Sequence, residues 1–495
     1  SVNMEKEYDI PGLILSEPVL LDADVAARSF STSSFTFFVN DSEVLNIPIP
    51  AVSNTPNTYW AKSKNLSAQF SATSSTLSVR TTYNKPSSES VGFLNYYILS
   101  FRRGLNFRGG QMAFRDLLSA GAGVTARFIL GNAGNNVVVW NVTDPTGVKK
   151  IDAVLSGSEL TFTVGVDSLM EFIAFDGTSF YSAVFAGKVE NQNLHGMEQV
   201  EMVIVTPEIF RSQAERLAQH HRDHDEMTVA VVDLPDIYNE FSSGAQDIAA
   251  IRDFLKMLYD RSGSGQELKY LLLFGDGSYD HKNRVQNNTN FVPTWQSPES
   301  LHTVSSYVTD DFFGFLDDSG DSMLDIGIGR LVVASEKEAG NVVDKIIHYS
   351  TGMPEVMGNW RNVISLIADD EDSNLHLEDA EELASVISAL NEGINVEKIY
   401  LDAYKQASTP GGERYPEANA DINRRVARGA LLINYVGHGG ETGWAHESIL
   451  QISDITSWDN MDNMPVFVTA TCEFSRFDDP GRISGGEYVL LNPKG

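Results

Sequence analysis

Leu431-Leu432-Ile433-Asn434-Tyr435-Val436 running into Gly437-His438-Gly439-Gly440-Glu441 is the stretch that decides the fold. An apolar run of strand length that stops at a glycine turn reads as a strand covered on both faces, the kind found in parallel sheets. In open α/β sheets functional groups collect where strands end at their carboxyl edge. A second run repeats the design: Val466-Phe467-Val468-Thr469-Ala470-Thr471 leads into Cys472-Glu473-Phe474. If the two strands are parallel neighbours, His438 and Cys472 lie side by side at one sheet edge.

Outward from this pair the same grammar extends back to about residue 200. Strand-like runs at Met202-Val203-Ile204-Val205, Thr228 to Val232 and Tyr270-Leu271-Leu272-Leu273-Phe274 alternate with helical ones, including one through Ile248, Ile251, Leu255 and Leu258. That spacing lines one face of a helix. The alternation resumes at Asn362 to Ala368, a helix from about Leu377 to Leu390, Val396 to Leu401, and a helix near Ile422 to Ala427. It implies mainly parallel sheets with helices on their faces.

Before residue 200 the grammar differs. Short alternating or aromatic runs such as Ser34 to Val39, Asn95 to Phe101 and Leu160 to Val164 are separated by Ser, Thr, Asn and Gly. Turns between strands need those residues, so an all-β module, a sandwich or similar, is expected there. The expected organisation is multidomain: a β-rich domain over 1–200, then an α/β domain of two subdomains over 201–355 and 356–495.

Composition sets limits. Hydrophobic residues make up 42% and charged ones 21% of 495 residues, a balance able to build cores. No apolar run reaches the roughly 18 residues that a membrane helix needs. The formal charge of −31 repels phosphate backbones, so nucleic acid is not an expected partner, while Asp and Glu suit calcium. With a single Cys, disulfides within the chain and multi-thiolate zinc sites are excluded. That Cys is either a small buried apolar residue or a nucleophile.

The nucleophile reading has a chemical basis. A free thiol is only a few per cent ionised near neutral pH, and an adjacent imidazole raises that fraction and returns the proton to the leaving amine. The N–H groups of Gly439 and Cys472 are candidate oxyanion donors. The competing reading is a glycine turn after a strand and a core cysteine.

Tyr435-Val436-Gly437-His438-Gly439-Gly440-Glu441-Thr442 with Trp444 resembles the histidine motif of gingipain-type cysteine peptidases, and Thr469-Ala470-Thr471-Cys472-Glu473-Phe474 resembles their cysteine motif. Leu273 to Asp280, Tyr307 to Gly314, Asp325 to Arg330 and Cys472 to Pro480 resemble one branch, the PorU-like type IX secretion system sortases of Bacteroidetes. The resemblance spans about residues 200–495. It implies a caspase-like fold and a cell-surface enzyme, associated with the outer membrane, that removes the C-terminal sorting domain of secreted cargo through a Cys472 acyl-enzyme. The new end would pass to an anionic lipopolysaccharide, with an outer-membrane secretion-system protein as partner. Alternatives are a gingipain-like secreted endopeptidase and a catalytically silent scaffold of the secretion complex.

The resemblance also places a His-supporting acid at Glu371, with Asp370 beside it; a structural calcium in the Asp369 to Asp372 run is the rival, and no cofactor is required. It puts Asn374 near the position that selects a basic side chain, and Glu441 and Trp444 near the substrate. In the family the catalytic subdomain continues beyond its cysteine, so the chain is expected to be a fragment. Two weaker signals, Gln219 to His224 and Asp317 to Asp321, read as a solvated helix end and a hairpin turn rather than as metal sites.

Overall fold

The computed structural model describes residues 2–55, 57–185, 187–263, 267–317 and 320–495. The Asp317 to Asp321 turn includes Asp318 and Ser319, which lie outside the described residues. Two compact units form: Ser1–Val189 with Pro298–Ser306, and Glu190–Ser297 with Tyr307–Gly495.

The first unit is all β, but it holds two cores rather than one module. Pro18–Arg28 buries every second residue, so Val19, Leu21, Ala23 and Val25 line one face, as a period of two requires. They meet Phe35, Phe37, Ile47 and Val79 of a four-stranded antiparallel sheet, giving a sandwich. The second core surrounds Phe114, Phe128, Phe162 and Phe172, whose rings pack 5.1 to 6.4 Å apart between two smaller antiparallel sheets. The expected boundary at residue 200 is corrected to Val189, and the expected α/β segment gives Pro298–Ser306 back to this unit. There Trp60 N donates to Leu301 O at 2.8 Å and the Tyr59 ring meets His302 edge-on at 4.9 Å.

The second unit is α/β. Its strands are β1 (Met202–Thr206), β2 (Val229–Asp233), β3 (Tyr270–Phe274), β4 (Gly327–Leu331), β5 (Val363–Ala368), β6 (Asn395–Tyr400), β7 (Leu432–Val436) and β8 (Val466–Ala470). They form two parallel sheets, ordered β2-β1-β3-β4 and β6-β5-β7-β8. The helices are α1 (Arg211–His224), α2 (Leu234–Phe241), α3 (Ile248–Asp260), α4 (Glu336–Ser350), α5 (Leu375–Leu390), α6 (Pro416–Arg428), α7 (Ile452–Ser457) and α8 (Gly485–Leu491).

Helices on both faces explain the unbroken apolar strands. Val203 and Val205 of β1 join α2 and α3 in one cluster, while Met202 and Ile204 join α1 and α4 in another. Truncating a fully buried side chain such as Phe254 to Ala is expected to cost about 3–5 kcal/mol. Helix α6 starts at Pro416, whose missing N–H is no loss in a first turn, and ends at Gly429 with φ +78°. Under the second sheet, α6 buries Ala418, Ile422 and Val426 against Ile433 and Tyr435.

The expected division at residue 355 needs correction at its far end. Leu490 and Leu491 of α8 pack on the α1 and α4 core, and Lys345 Nζ donates to the carbonyls of Val489, Leu490 and Asn492 at 3.0 to 3.1 Å. The last helix therefore ties the second sheet's segment to the first. The histidines at the end of α1 are a helix terminus: His221 and His224 pair with Asp225 at 2.7 and 2.8 Å.

Candidate active site

The second sheet builds its site from the chain segments that follow β5, β7 and β8. β7 and β8 are parallel neighbours with Val436 opposite Ala470, and Gly437 N donates to Ala470 O at 3.3 Å. Two glycines let the turns meet. At Gly437 (φ +157°) a Cβ would lie 2.4 Å from Asp369 Cβ, and at Gly439 one would lie 2.4 Å from Thr471 Oγ1. The histidine turn thus rests directly on the residue before Cys472.

The His438 backbone is held on several sides. Its N donates to Asp369 Oδ2 at 2.9 Å, and its carbonyl accepts from Tyr435 Oη at 2.6 Å and Ala445 N at 2.8 Å. The Ala445 bond also sets the register of the hairpin Gly439–Gly440/Gly443–Trp444, in which Gly439 is opposite Trp444 as a pair that exchanges no hydrogen bonds. The Gly439 N–H therefore faces out of the ladder.

The ring sits among acids and other imidazoles. His438 Nε2 lies 3.0 Å from Asp372 Oδ2 and 3.6 Å from Glu371 Oε2. His446 stacks on the ring at 5.3 Å, and its Nδ1 is 3.2 Å from Glu371, which raises its pKa. His376 meets the His438 ring edge-on at 5.3 Å. Burial raises the pKa of Asp369, partly offset by the N–H groups of His438 and Asp370. Asp372, Ser373 and Asn374 all have positive φ, of 56°, 58° and 71°. Three consecutive left-handed residues are costly for side chains of this kind, and such strain gathers at functional loops; here it turns Asp372 toward the imidazole.

Cys472 is exposed, and Glu473 after it has φ +56°. Phe474 then plugs the core, 5.4 Å from Trp444, and its carbonyl accepts from Gly486 N at 2.7 Å. Further on, Phe477 lies under the Arg330 guanidinium at 5.0 Å and against Gly277, where a Cβ would be 3.1 Å from the ring. Asp478 O accepts from Tyr279 N at 2.8 Å. Arg330 itself forks onto Asp310 at 2.7 and 2.8 Å and donates to the carbonyls of Gly275 and Val292. The first-sheet stretches singled out in the sequence, Leu273 to Asp280, Tyr307 to Gly314 and Asp325 to Arg330, thus converge on the loop that carries Cys472.

Several expected roles move. Asp370 accepts from Tyr415 Oη at 2.5 Å and contacts no imidazole, so it is not the acid beside His438. Asp372, unassigned in the sequence, is nearer to the ring than Glu371, which it shares with His446. Trp444 is fully buried and stacked on Tyr435 at 4.5 Å, so it is a core residue and not a substrate contact. Glu441 is 9% exposed and committed to Arg476 at 2.9 Å and to Arg482, which makes it an anchor of the cysteine loop rather than a substrate contact. Asn374 is exposed at the N-cap of α5. Carboxylates of Asp369, Asp370 and Glu447 lie within 4.8 Å of one another, an oxygen-only cluster inside the acidic run where calcium is the rival reading.

A cavity of about 570 Å³ opens beside the histidine turn, walled by Gly439, Gly440, Thr442, His446, Gln451 and Ser453 among others, with no acidic side chain in its lining.

The sequence profile of peptidase family C25 matches residues 195–495. The chain belongs to family C25. Its relatives there include gingipain R2 of Porphyromonas gingivalis, 26% identical over 246 residues covering 46% of this chain and 27% of that protein. Lys-gingipain of the same organism is 25% identical over 38% of this chain and 10% of its own length. Among solved structures, dimeric latent PorU from P. gingivalis aligns with a TM-score of 0.61 and 25% identity, covering 70% of this chain and 35% of that one. The match thus spans about a third or less of the length of each of these three relatives. This C25 member has the two-sheet α/β architecture described above, and among its described residues no helix is long and apolar enough to cross a membrane.

Proposed function

We propose that this C25 chain carries the catalytic centre of a type IX secretion sortase. In this reading it removes the C-terminal sorting domain of secreted cargo at the cell surface and joins the new end to an anionic lipopolysaccharide, next to an outer-membrane secretion-system partner. The observation that carries it is the convergence of an exposed Cys472 and an acid-paired His438 on adjacent parallel strand ends. Similarity to PorU over 70% of the chain favours the sortase over a degradative peptidase.

The chemistry follows from the ring's surroundings. A neutral imidazole has one donor and one acceptor nitrogen. With Asp372 and Glu371 at Nε2, that nitrogen keeps its proton and Nδ1 accepts the one from the Cys472 thiol. The thiolate attacks the scissile carbonyl, and the N–H groups of Gly439 and Cys472 bind the oxyanion. The imidazolium returns its proton to the leaving amine, which leaves a thioester on Cys472. An amine on the glycolipid then attacks the thioester and regenerates the thiol. No cofactor enters these steps. The absence of acids from the cavity lining, together with the neutral Asn374, favours uncharged side chains over the basic ones that Arg- and Lys-gingipains are named for.

The test uses the protein that carries this chain, a cargo-derived peptide and an excess of amine acceptor. Amide transfer is expected, and Cys472→Ala should lower turnover about 10³-fold or more. Release of the hydrolysed acid alone, under ample acceptor, would assign an endopeptidase. A thiol that ignores a peptide ketone, or reacts equally after His438→Ala, would assign a scaffold.

A further inference from the structure

One imidazole at the site has no part in the steps above. His376, in the first turn of α5, presents an Nε2 that is buried without a hydrogen-bond partner. That atom lies 3.4 Å from Asp372 Oδ2, the same oxygen that lies 3.0 Å from His438 Nε2. The two rings meet at 87°. Behind them Asp369 is 1% exposed, and the donor atoms of Asp369, His376 and His438 all fall within 4.8 Å of one another.

We propose that Asp369, His376 and His438 form a site for one divalent ion of the zinc class, and that the ion silences the catalytic base; the second half rests on His438 being that base. Two imidazoles and one carboxylate suit a borderline-soft ion, whereas calcium and magnesium take oxygen ligands. Tetrahedral zinc with bonds of about 2.0–2.1 Å sets its donors roughly 3.4 Å apart, so small side-chain rotations close the present spacing. Each Asp369 oxygen accepts one backbone N–H, from Asp370 and from His438, which holds the carboxylate in place beside the two rings. The ion would also occupy a ring nitrogen of His376, whose Nε2 makes no hydrogen bond and has only the 3.4 Å contact with Asp372. Inhibition follows from the tautomer. An ion on Nε2 of His438 confines the proton to Nδ1, and an ion on Nδ1 occupies the lone pair outright. Either way the ring cannot accept the Cys472 proton.

The experiment is a zinc titration of the intact chain at pH 7.5, by calorimetry and by competition with a chromophoric chelator, followed by cobalt substitution. One ion per chain at micromolar affinity or tighter is expected. His376→Gln, with His376→Asn carried beside it and thermal unfolding confirming that each is folded, should weaken binding at least 30-fold. Cys472→Ala should bind as the parent does, and the cobalt complex should lack a thiolate charge-transfer band. No micromolar binding, displacement of zinc by millimolar calcium, or binding lost in Cys472→Ala but kept in His376→Gln would each overturn the site. Because binding is read without turnover, it stands or falls apart from the sortase reading. Where turnover is measured, its zinc midpoint should match the titration; turnover unchanged at saturation removes the regulatory half.

Discussion

The two parallel sheets of the α/β unit are built alike and used differently. Both have the order second-first-third-fourth, and in both the third strand ends in Gly-x-Gly: Gly275-Asp276-Gly277 after β3 and Gly437-His438-Gly439 after β7. The first glycine has nearly the same φ in each, 152° and 157°. At the middle position Asp276 is 7% exposed, whereas the His438 side chain is 35% exposed. The fourth strand carries Arg330 in the first sheet, locked onto Asp310, and leads to a free Cys472 in the second. Topology delivers a polar residue to the same place twice, and cover decides what it does. The first sheet's carboxyl edge is closed by Phe477, Asp478 and α8, so it holds the loop that carries Cys472.

The largest expected effect tests that holding role. Arg330 is 4% exposed on its side chain, and Asp310 is 14% exposed. Arg330→Ala leaves a buried carboxylate unpaired and strips the guanidinium from Phe477, which should cost about 3–5 kcal/mol. Denaturant midpoints measure it. Arg330→Lys should recover less than half, because an ammonium cannot reproduce the fork onto Asp310 and the bonds to Gly275 and Val292. A parent-like midpoint for Arg330→Ala would mean that the first sheet is a bystander.

A smaller effect is expected at the open edge. Asp372→Asn should lower kcat roughly 10- to 100-fold with little change in KM, since it removes the charge that orients the imidazole and stabilises its protonated form. Glu371→Gln should do less, because that carboxylate is farther from His438 and divided with His446. Asp370→Asn should leave kcat within about threefold, its partner being Tyr415. An Asp370 variant as slow as the Asp372 one would show that the acid was assigned by the wrong contact.

Much of this comparison is legible in the amino-acid sequence. The alternation of apolar runs gave both parallel sheets, and the strand-to-turn transitions at Gly437 and Thr471 located His438 and Cys472, because strand ends are local features. What escaped was non-local. In Asp369-Asp370-Glu371-Asp372 all four side chains are acids, and only the left-handed backbone of 372–374 determines which one meets the ring. Trp444 stands beside the histidine motif in sequence, yet the hairpin turns it inward onto Tyr435. His376 and His446 carry no motif, and the return of Pro298–Ser306 to the β unit depends on contacts some 240 residues away in the chain, such as Thr303 with Thr58. The equivalence of the Gly275-Asp276-Gly277 and Gly437-His438-Gly439 turns rests on matching strand orders, which no local stretch of sequence displays.

The finest test concerns the closed edge and pH. Burial, with the charge of Glu487 nearby, pushes the pKa of Asp276 up to about 7; burial likewise pushes Glu487 up to about 7. An unfolded Asp titrates near 3.9. Between those values the folded chain holds a proton that the unfolded chain has released, so the stability due to protonated Asp276 is full below about pH 4 and is lost as pH rises through 7. Asp276→Asn removes this titration while keeping an amide oxygen for the Gly277 N–H. Relative to the parent, the variant should therefore gain stability with rising pH, on the order of 1–2 kcal/mol between pH 4.5 and 8, with kcat unchanged. A gain in stability with kcat reduced would place Asp276 in the chemistry despite its cover. It would then make the first sheet a partner in catalysis and not only its support.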